Sequence, residues 1–246
     1  MITLQTKNLS PKILAQKQLK GYDRFRKTYT MEVSLPFSEV HVRHLPLKRG
    51  FDVIFALVAL LVAFPLFITL ALLIRLTSQG PIIYAHERIG RGGIPFKCFK
   101  FRTMYADAES RLKNILCTDP AAAKEWERAR KLKFDPRITP LGKWLRKSSL
   151  DELPQFLNVL KGDLSVVGPR PVVRAEIEKY YREKAPKILS IRPGITGLWQ
   201  VSGRSSTSYK ERVTLDEHYV ETHTLLFDFL LILKTISALL TRKGAY

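Results

Sequence analysis

The longest apolar run in the chain lies at 51–74, FDVIFALVALLVAFPLFITLALLI, 24 residues with one charge, Asp52. At about 1.5 Å per residue a straight helix of that length reaches roughly 36 Å, enough to cross a hydrocarbon core of about 30 Å. A buried helix of such purity is unusual in a soluble core, so the pattern predicts membrane insertion. Pro65 falls mid-run, where it removes a backbone hydrogen bond and bends a helix. Upstream stand Lys48 and Arg49, with seven more Lys/Arg by residue 27; downstream stand Arg75, Arg88, Arg91, Lys97, Lys100 and Arg102. The positive-inside rule wants such an excess on one side, yet both flanks carry it. Two readings are open: a helix that breaks and re-enters by the same face, or a single kinked span.

Downstream the period changes. Residues 82–88 and 94–102 alternate apolar and polar positions, the period of half-buried strands, with Gly90-Arg91-Gly92-Gly93 as a hairpin-like connection. In the second strand Lys100 and Arg102 share one face, which is either solvated or turned to a substrate. Residues 105–131 read as helix, split by Pro120. An amphipathic surface helix is expected over 172–184, and another helix, with Asp216, Glu217 and His218, over 208–221. Two glycines and a proline around Arg192 make a shaped loop, IRPGITGLWQ at 191–200. The apolar segment 225–240 is interrupted by Asp228 and Lys234 and is too short to span, so it reads as a helix lying in the interface.

Charge narrows the partners. The 246 residues hold 41 Lys+Arg against 22 Asp+Glu, a formal +19. That excess suits nucleic acid, an anionic membrane surface or phosphorylated substrates. Residues 1–47 form a basic extension, either poorly ordered or lying on anionic headgroups. Residues 1–32 lack the continuous apolar core of a signal peptide. Cys98 and Cys117 have no metal or disulfide spacing and suggest a reducing compartment.

The chemistry gathers at 146–171, RKSSLDELPQFLNVLKGDLSVVGPRP. Asp151 and Glu152 are adjacent acids between Arg146 and Arg170. Arginines hold phosphoryl oxygens in a bidentate fork, and a carboxylate among them can attack phosphorus or hold a metal. Ser149-x-x-Glu152 is also a capping box, by which both acids would merely start a helix. The readings are compatible. Pro154 suits only a helix's first turn, and helix dipoles favour an ionised carboxylate there.

Several of these stretches resemble the monotopic phosphoglycosyl transferases of the bacterial sugar transferase family: KRGFD at 48–52, the proline-broken apolar helix, FKFRTM at 99–104, SLDELPQFLNVLKGDLSVVGPRP at 149–171 and RPGITGLWQVSGR at 192–204. The resemblance covers about 46–246, and the motifs are specific together rather than singly. It implies an α/β protein, mostly α with a small β-hairpin or sheet. A basic extension (1–47) and a re-entrant helix (48–76) would precede a cytoplasmic catalytic domain (77–246) that includes the interfacial helix 225–240. The protein would sit at the bacterial inner (cytoplasmic) membrane. The usual serine before the helix-breaking proline is replaced by Phe64. The 47 leading residues leave no room for the extra spans of larger members.

The implied chemistry transfers a sugar-1-phosphate, galactose- or glucose-1-phosphate by the terminal RKGAY motif, from a UDP-sugar to undecaprenyl phosphate with Mg²⁺. Asp151 would be nucleophile and metal ligand, Glu152 the second acid of the dyad. Lys100, Arg102, Arg146 and Arg170 would serve the phosphates, and Arg192 the nucleotide. Gln200, in the RPGITGLWQ motif, and Asp216 would belong to the substrate site, Asp216 without a derivable role. The lipid bilayer and downstream glycosyltransferases are implied partners, a homodimer is compatible, and nucleic acid is not expected. The competing class is a non-catalytic, membrane-anchored basic module for anionic lipid or nucleic acid. It leaves acids at the centre of an arginine cluster unexplained, and it lacks aromatics at nucleic-acid-module spacing.

Overall fold

The computed structural model describes residues 40–129, 131–203 and 207–240. Most of the basic extension, Arg204 and the terminal RKGAY lie outside the described residues. Two compact units divide the rest: one takes in 104–139, the other 40–103 and 140–240.

Among its described residues the smaller unit has two helices. They are α2 (Ala108–Thr118) and α3 (Pro120–Ala129). Asp119 accepts the backbone N–H groups of Ala121 and Ala122 at 2.8 and 3.0 Å, and Pro120 opens α3, so a cap and a proline divide the helical pattern.

In the larger unit the apolar run forms a single helix, α1 (Pro46–Thr77), continuous through Pro65. Among the described residues it is the one helix long and apolar enough to cross a membrane. Its two ends are buried and its middle is bare. Asp52 and Ala56 near one end, and Leu70 and Ile74 near the other, are buried, whereas no residue from Leu57 to Thr69 is. The first end packs with Val159, Val166 and Leu231; the second packs with Phe101 and Leu145. Phe67 meets Phe101 with ring centroids 4.7 Å apart.

Strands β1 (Ile83–Ile89) and β2 (Pro95–Phe101) pair antiparallel in the expected hairpin, with Tyr84 opposite Lys100 and His86 opposite Cys98. After α4 (Pro140–Ser148) and a 3-10 turn (Leu150–Glu152) comes α5 (Gln155–Lys161). Asn158 of α5 acts as a third strand on the free edge of β2. Its amide oxygen accepts from Phe99 N–H at 2.9 Å, and its nitrogen donates to the Lys97 carbonyl at 2.8 Å.

A second, parallel pair joins β3 (Ser165–Val167) to β4 (Gly194–Thr196). Backbones approach so closely here that a Cβ on Gly194 would lie 2.1 Å from Gly168 N. The Gly168 N–H donates to Thr196 O at 2.9 Å, and Gly194 N–H to Pro169 O at 2.8 Å, which docks the GPRP run against the RPGIT loop. Helices α6 (Leu198–Ser202), α7 (Tyr209–Thr222) and α8 (Leu225–Leu240) complete the unit.

Two local expectations fail. The stretch 172–184 is not one amphipathic helix. It runs through an α turn (Arg174–Glu176), a π turn (Ile177–Tyr181) and a 3-10 turn (Arg182–Lys184), with Arg182 at φ 41°. Ile177 and Tyr181 are buried, so core packing has overridden the surface pattern. The capping box at Ser149 is also absent. Ser149 adopts the left-handed conformation (φ 58°, ψ 15°) and caps nothing, while Ser208 and Glu211 form a capping box at the start of α7.

A buried polar junction ties α1 to α8. Lys48 Nζ lies 2.5 Å from Asp228 Oδ2 and 3.9 Å from Asp52 Oδ1. Asp52 accepts from Ser165 Oγ and Val166 N–H, and the Tyr219 hydroxyl donates to Asp228 at 2.5 Å.

Candidate active site

The adjacent acids sit in the 3-10 turn that follows Ser149, between α4 and α5. A non-glycine residue at φ 58° is unfavourable, and such strain persists only where the surroundings enforce it. The turn makes the two carboxylates unequal. Asp151 is buried, and Glu152 is half-buried. Lys100, from β2, places Nζ 2.5 Å from Glu152 Oε1 and 3.8 Å from Asp151 Oδ2.

Electrostatics separate the pair further. Burial lifts the Asp151 carboxyl to about 6, opposed by Lys100, assisted by the negative Glu152 and opposed again by Arg146. The dipole argument for a readily ionised Asp151 is therefore outweighed by desolvation. For Glu152 burial also pushes upward, but Lys100, by charge and hydrogen bond, together with Arg170 and Arg88, holds the group below its ordinary value.

Arg146, in the last turn of α4, donates from Nε to Thr103 Oγ1 at 2.9 Å. Gly142 permits this approach, because a Cβ there would lie 2.0 Å from the Thr103 carbonyl oxygen. Arg170 is delivered by the docked GPRP run and lies over the Trp199 ring, 5.3 Å from its centroid. Behind it Asp216 of α7 is buried, accepting from the Tyr181 hydroxyl at 3.0 Å. Burial raises Asp216 to about 7 against the pull of Tyr181, the Arg170 backbone and the charges of Arg170 and Arg212. Gln200 neighbours Trp199 in α6, and its Oε1 is buried without a hydrogen-bond partner.

Lys100, Arg146, Arg170, Asp151 and Glu152 thus converge. Two other expected phosphate or nucleotide residues do not join them. Arg102 lies just past the end of β2 and turns to the C-terminus of α1. It donates to the Ser78 carbonyl and the Pro81 carbonyl, both at 2.6 Å, and to Ser78 Oγ at 2.8 Å. Its backbone N–H still donates to the Ile82 carbonyl at 2.9 Å, so the strand register carries on, but these carbonyls draw the guanidinium away from Lys100. Arg192 donates from Nε to Gly162 O at 2.8 Å. Arg49 donates beside it to the Val159 and Leu160 carbonyls, so these two guanidiniums satisfy the carbonyl end of α5, opposite the end nearest Asp151.

Sequence reasoning passed over Arg88 and His86. Tyr84, His86 and Arg88 project from the same face of the hairpin as Lys100, because directly paired residues of antiparallel strands share a face. Arg88 reaches Glu176 at 3.7 Å, and burial with nearby Arg170 depresses its proton affinity. The period-two alternation of 82–88 was the available signal; it marked a half-buried face without saying what that face met. Among the described residues no group of three or more His, Cys, Asp or Glu could hold a metal. The adjacent acids Asp151 and Glu152 do match Mg²⁺ in kind, since it commonly takes one or two carboxylates and completes its shell with water and substrate phosphate.

A buried carboxylate between a lysine and arginines, on a unit carrying a bare apolar helix, is the equipment of a transferase. The chain belongs to the bacterial sugar transferase family, whose sequence profile matches residues 43–242. It is 48% identical over 199 residues to the exopolysaccharide production protein ExoY of Sinorhizobium fredii, covering 81% of this chain and 88% of that one. It is also 48% identical over 200 residues to the undecaprenyl-phosphate galactose phosphotransferase of Salmonella typhimurium, covering 81% of this chain but only 42% of that protein. The UDP-glucose:undecaprenyl-phosphate glucose-1-phosphate transferase of Caulobacter vibrioides is 38% identical over 207 residues, or 81% and 72% of the two chains.

Proposed function

We propose that the protein transfers a sugar-1-phosphate from a UDP-sugar to undecaprenyl phosphate and releases UMP. The observation that carries this reading is the unequal acid pair: Asp151 buried beside Lys100 and Arg146, with Glu152 held ionised on Lys100 near Arg170 and Arg88. A carboxylate oxygen of Asp151 attacks the sugar-linked phosphorus. The bond to the bridging oxygen breaks, UMP departs with that electron pair, and an aspartyl phospho-sugar remains. A phosphate oxygen of the lipid then attacks the same phosphorus and returns Asp151 as carboxylate. Two displacements replace one difficult step.

Lys100, Arg146 and Arg170 neutralise the phosphoryl oxygens as charge develops. Glu152 anchors Lys100 in position to do so. Bound Mg²⁺, held by Asp151 with the donor's phosphates, would add charge neutralisation of the same kind. Asp216 and Tyr181 hold the ground behind Arg170, and Gln200 completes the wall beside Trp199. Arg192 serves the nucleotide side only through the RPGIT loop that it braces.

Two relatives named for galactose, at 48% and 46%, are more similar than the one named for glucose, at 38%, where a galactosyl transferase also stands; the first two favour galactose-1-phosphate. The product would pass to glycosyltransferases that extend an exopolysaccharide chain. The lipid acceptor requires a bilayer, and the mostly exposed stretch of α1 from Leu57 to Leu66 supplies the surface for one. Both ends of α1 pack on the same unit, so a straight crossing would place that unit on both sides of the membrane. A helix that enters and leaves by the cytoplasmic face avoids this. Pro65, which lacks an N–H, and the hydrogen bond from Thr69 Oγ1 to the Pro65 carbonyl, 2.9 Å, would suit a bend on such a path.

The test is direct. Purified protein in lipid nanodiscs receives UDP-galactose or UDP-glucose with undecaprenyl phosphate, and UMP is followed. Release that depends on Asp151 is expected; turnover surviving Asp151→Asn sinks the nucleophile assignment. For topology, a cysteine introduced at Thr69 or Leu47 is labelled in intact cells, and periplasmic access at Leu47 would contradict re-entry.

A further inference from the structure

Resting on the transferase reading, we propose that His86 recognises the donor's sugar by hydrogen bonding one of its hydroxyl groups. The hairpin face supplies the geometry. Tyr84, His86 and Arg88 line one strand, with Lys100 across from Tyr84 and Cys98 across from His86. Both ends of this row are committed to charge. Lys100 holds Glu152 at 2.5 Å, and Arg88 reaches Glu176 at 3.7 Å. His86 lies between them. Its Nδ1 is closed off from solvent and has no hydrogen-bond partner. A buried polar atom left unpaired costs about 1–3 kcal/mol, so an uncommitted one beside a site is a place for a ligand atom.

The kind of atom follows from the surroundings. Burial, then the charges of Arg88 and Lys100, push the imidazole down to about 4, so it is neutral at working pH. A neutral imidazole offers one donor and one acceptor, and a sugar hydroxyl is both. Phosphate oxygens, which only accept, already have Lys100 and the arginines. The sugar leaves its phosphate through a single bridging oxygen, so it must occupy space next to the cation that binds that phosphate. On the strand face the neighbours of Lys100 are Tyr84 and His86. Tyr84 is 53% exposed, and its ring centroid lies 6.1 Å from that of His86, an amphipathic surface left open beside the imidazole. Recognition of a hydroxyl by a buried polar group discriminates strongly, because the analogue lacking it leaves that group unpaired.

The experiment compares the unmodified protein with His86→Ala and His86→Gln in nanodiscs. Donors are UDP-galactose, UDP-glucose and a set of UDP-galactose analogues each lacking one sugar hydroxyl; UMP, which has no sugar, serves as inhibitor. His86→Ala is expected to lower kcat/KM for UDP-galactose roughly 10- to 100-fold, with UMP inhibition unchanged and part of the loss restored in His86→Gln. For one deoxy donor the unmodified protein and His86→Ala should react at equal rates, since the contact is already gone. An equal loss on every deoxy donor, or UMP weakened by the same factor, overturns the proposal, because His86 would then support the fold or the nucleotide. Normal turnover with His86→Ala overturns it while leaving the transferase reading intact. Absence of UMP release by the unmodified protein from any UDP-sugar removes that reading and this one together.

Discussion

The junction of Lys48 with Asp52 and Asp228 allows a test in which two substitutions at one ion pair should differ. Lys48 is one cation facing two buried carboxylates, at 3.9 and 2.5 Å. With an effective dielectric of about 20, these separations correspond to attractions of roughly 4 and 7 kcal/mol before desolvation is charged against them. Lys48→Met keeps the alkyl packing but leaves two acids facing each other without a cation, so it should cost about 4–5 kcal/mol. Asp228→Asn keeps the shape and still accepts from the Tyr219 hydroxyl. It leaves Lys48 paired with Asp52 and relieves the burial of a second negative charge. Its cost should be nearer about 2 kcal/mol. The double variant holds one buried acid, Asp52, still hydrogen-bonded to Ser165 and Val166, and should be more stable than Lys48→Met alone. Thermal unfolding in nanodiscs reads the difference, with about 2–4 °C per kcal/mol expected for a chain of this size. Equal losses from the two single variants, or a double variant at the sum of both, would refute the assignment of Lys48 as the shared counter-ion.

Asp216 carries a pH signature. Its folded value of about 7 exceeds the ordinary 3.8, so the unfolded chain ionises first and stability declines as pH rises from about 4 to about 7, then levels. The decline is on the order of 4 kcal/mol at about 1.36 kcal/mol per pH unit, and Asp216→Asn should flatten that stretch of a melting-temperature profile. In the proposed mechanism Asp151 attacks as the carboxylate, so kcat/KM for UMP release should fall on the acid side of about 6. Because Lys100 pulls that value down, Lys100→Met should move the limb to higher pH as well as slow turnover; a limb that stays in place would separate Lys100 from Asp151. Asn158→Leu strands the Phe99 N–H and the Lys97 carbonyl, at about 2–4 kcal/mol, and hydrogen exchange at Phe99 should accelerate selectively.

Period and punctuation determined much of this protein without any tertiary knowledge. The apolar run at 51–74 could only be a long helix, because 24 residues with one charge offer no polar face. Alternation marked the hairpin, and Pro120 divided the helices of the smaller unit. Adjacent acids between arginines marked the site, since unlike charges at such density imply a role for both. These features are local, and local sterics and hydrogen bonding decide them. What the arginines do was not local. Arg102 stands in the same motif as Lys100, and Arg192 opens the motif docked on that of Arg170, yet the fold turns both to backbone carbonyls at two helix ends. A guanidinium satisfies a carbonyl as readily as a phosphate, and only the position of the helix ends chooses between them. The strain at Ser149, the unequal burial of Asp151 and Glu152, and the arrival of Arg88 and His86 beside Lys100 likewise depend on segments brought together from distant parts of the chain. The acids at 151 and 152 differ by one position in sequence; only the packing around their turn makes one a buried carboxyl of raised proton affinity and the other a lysine's partner.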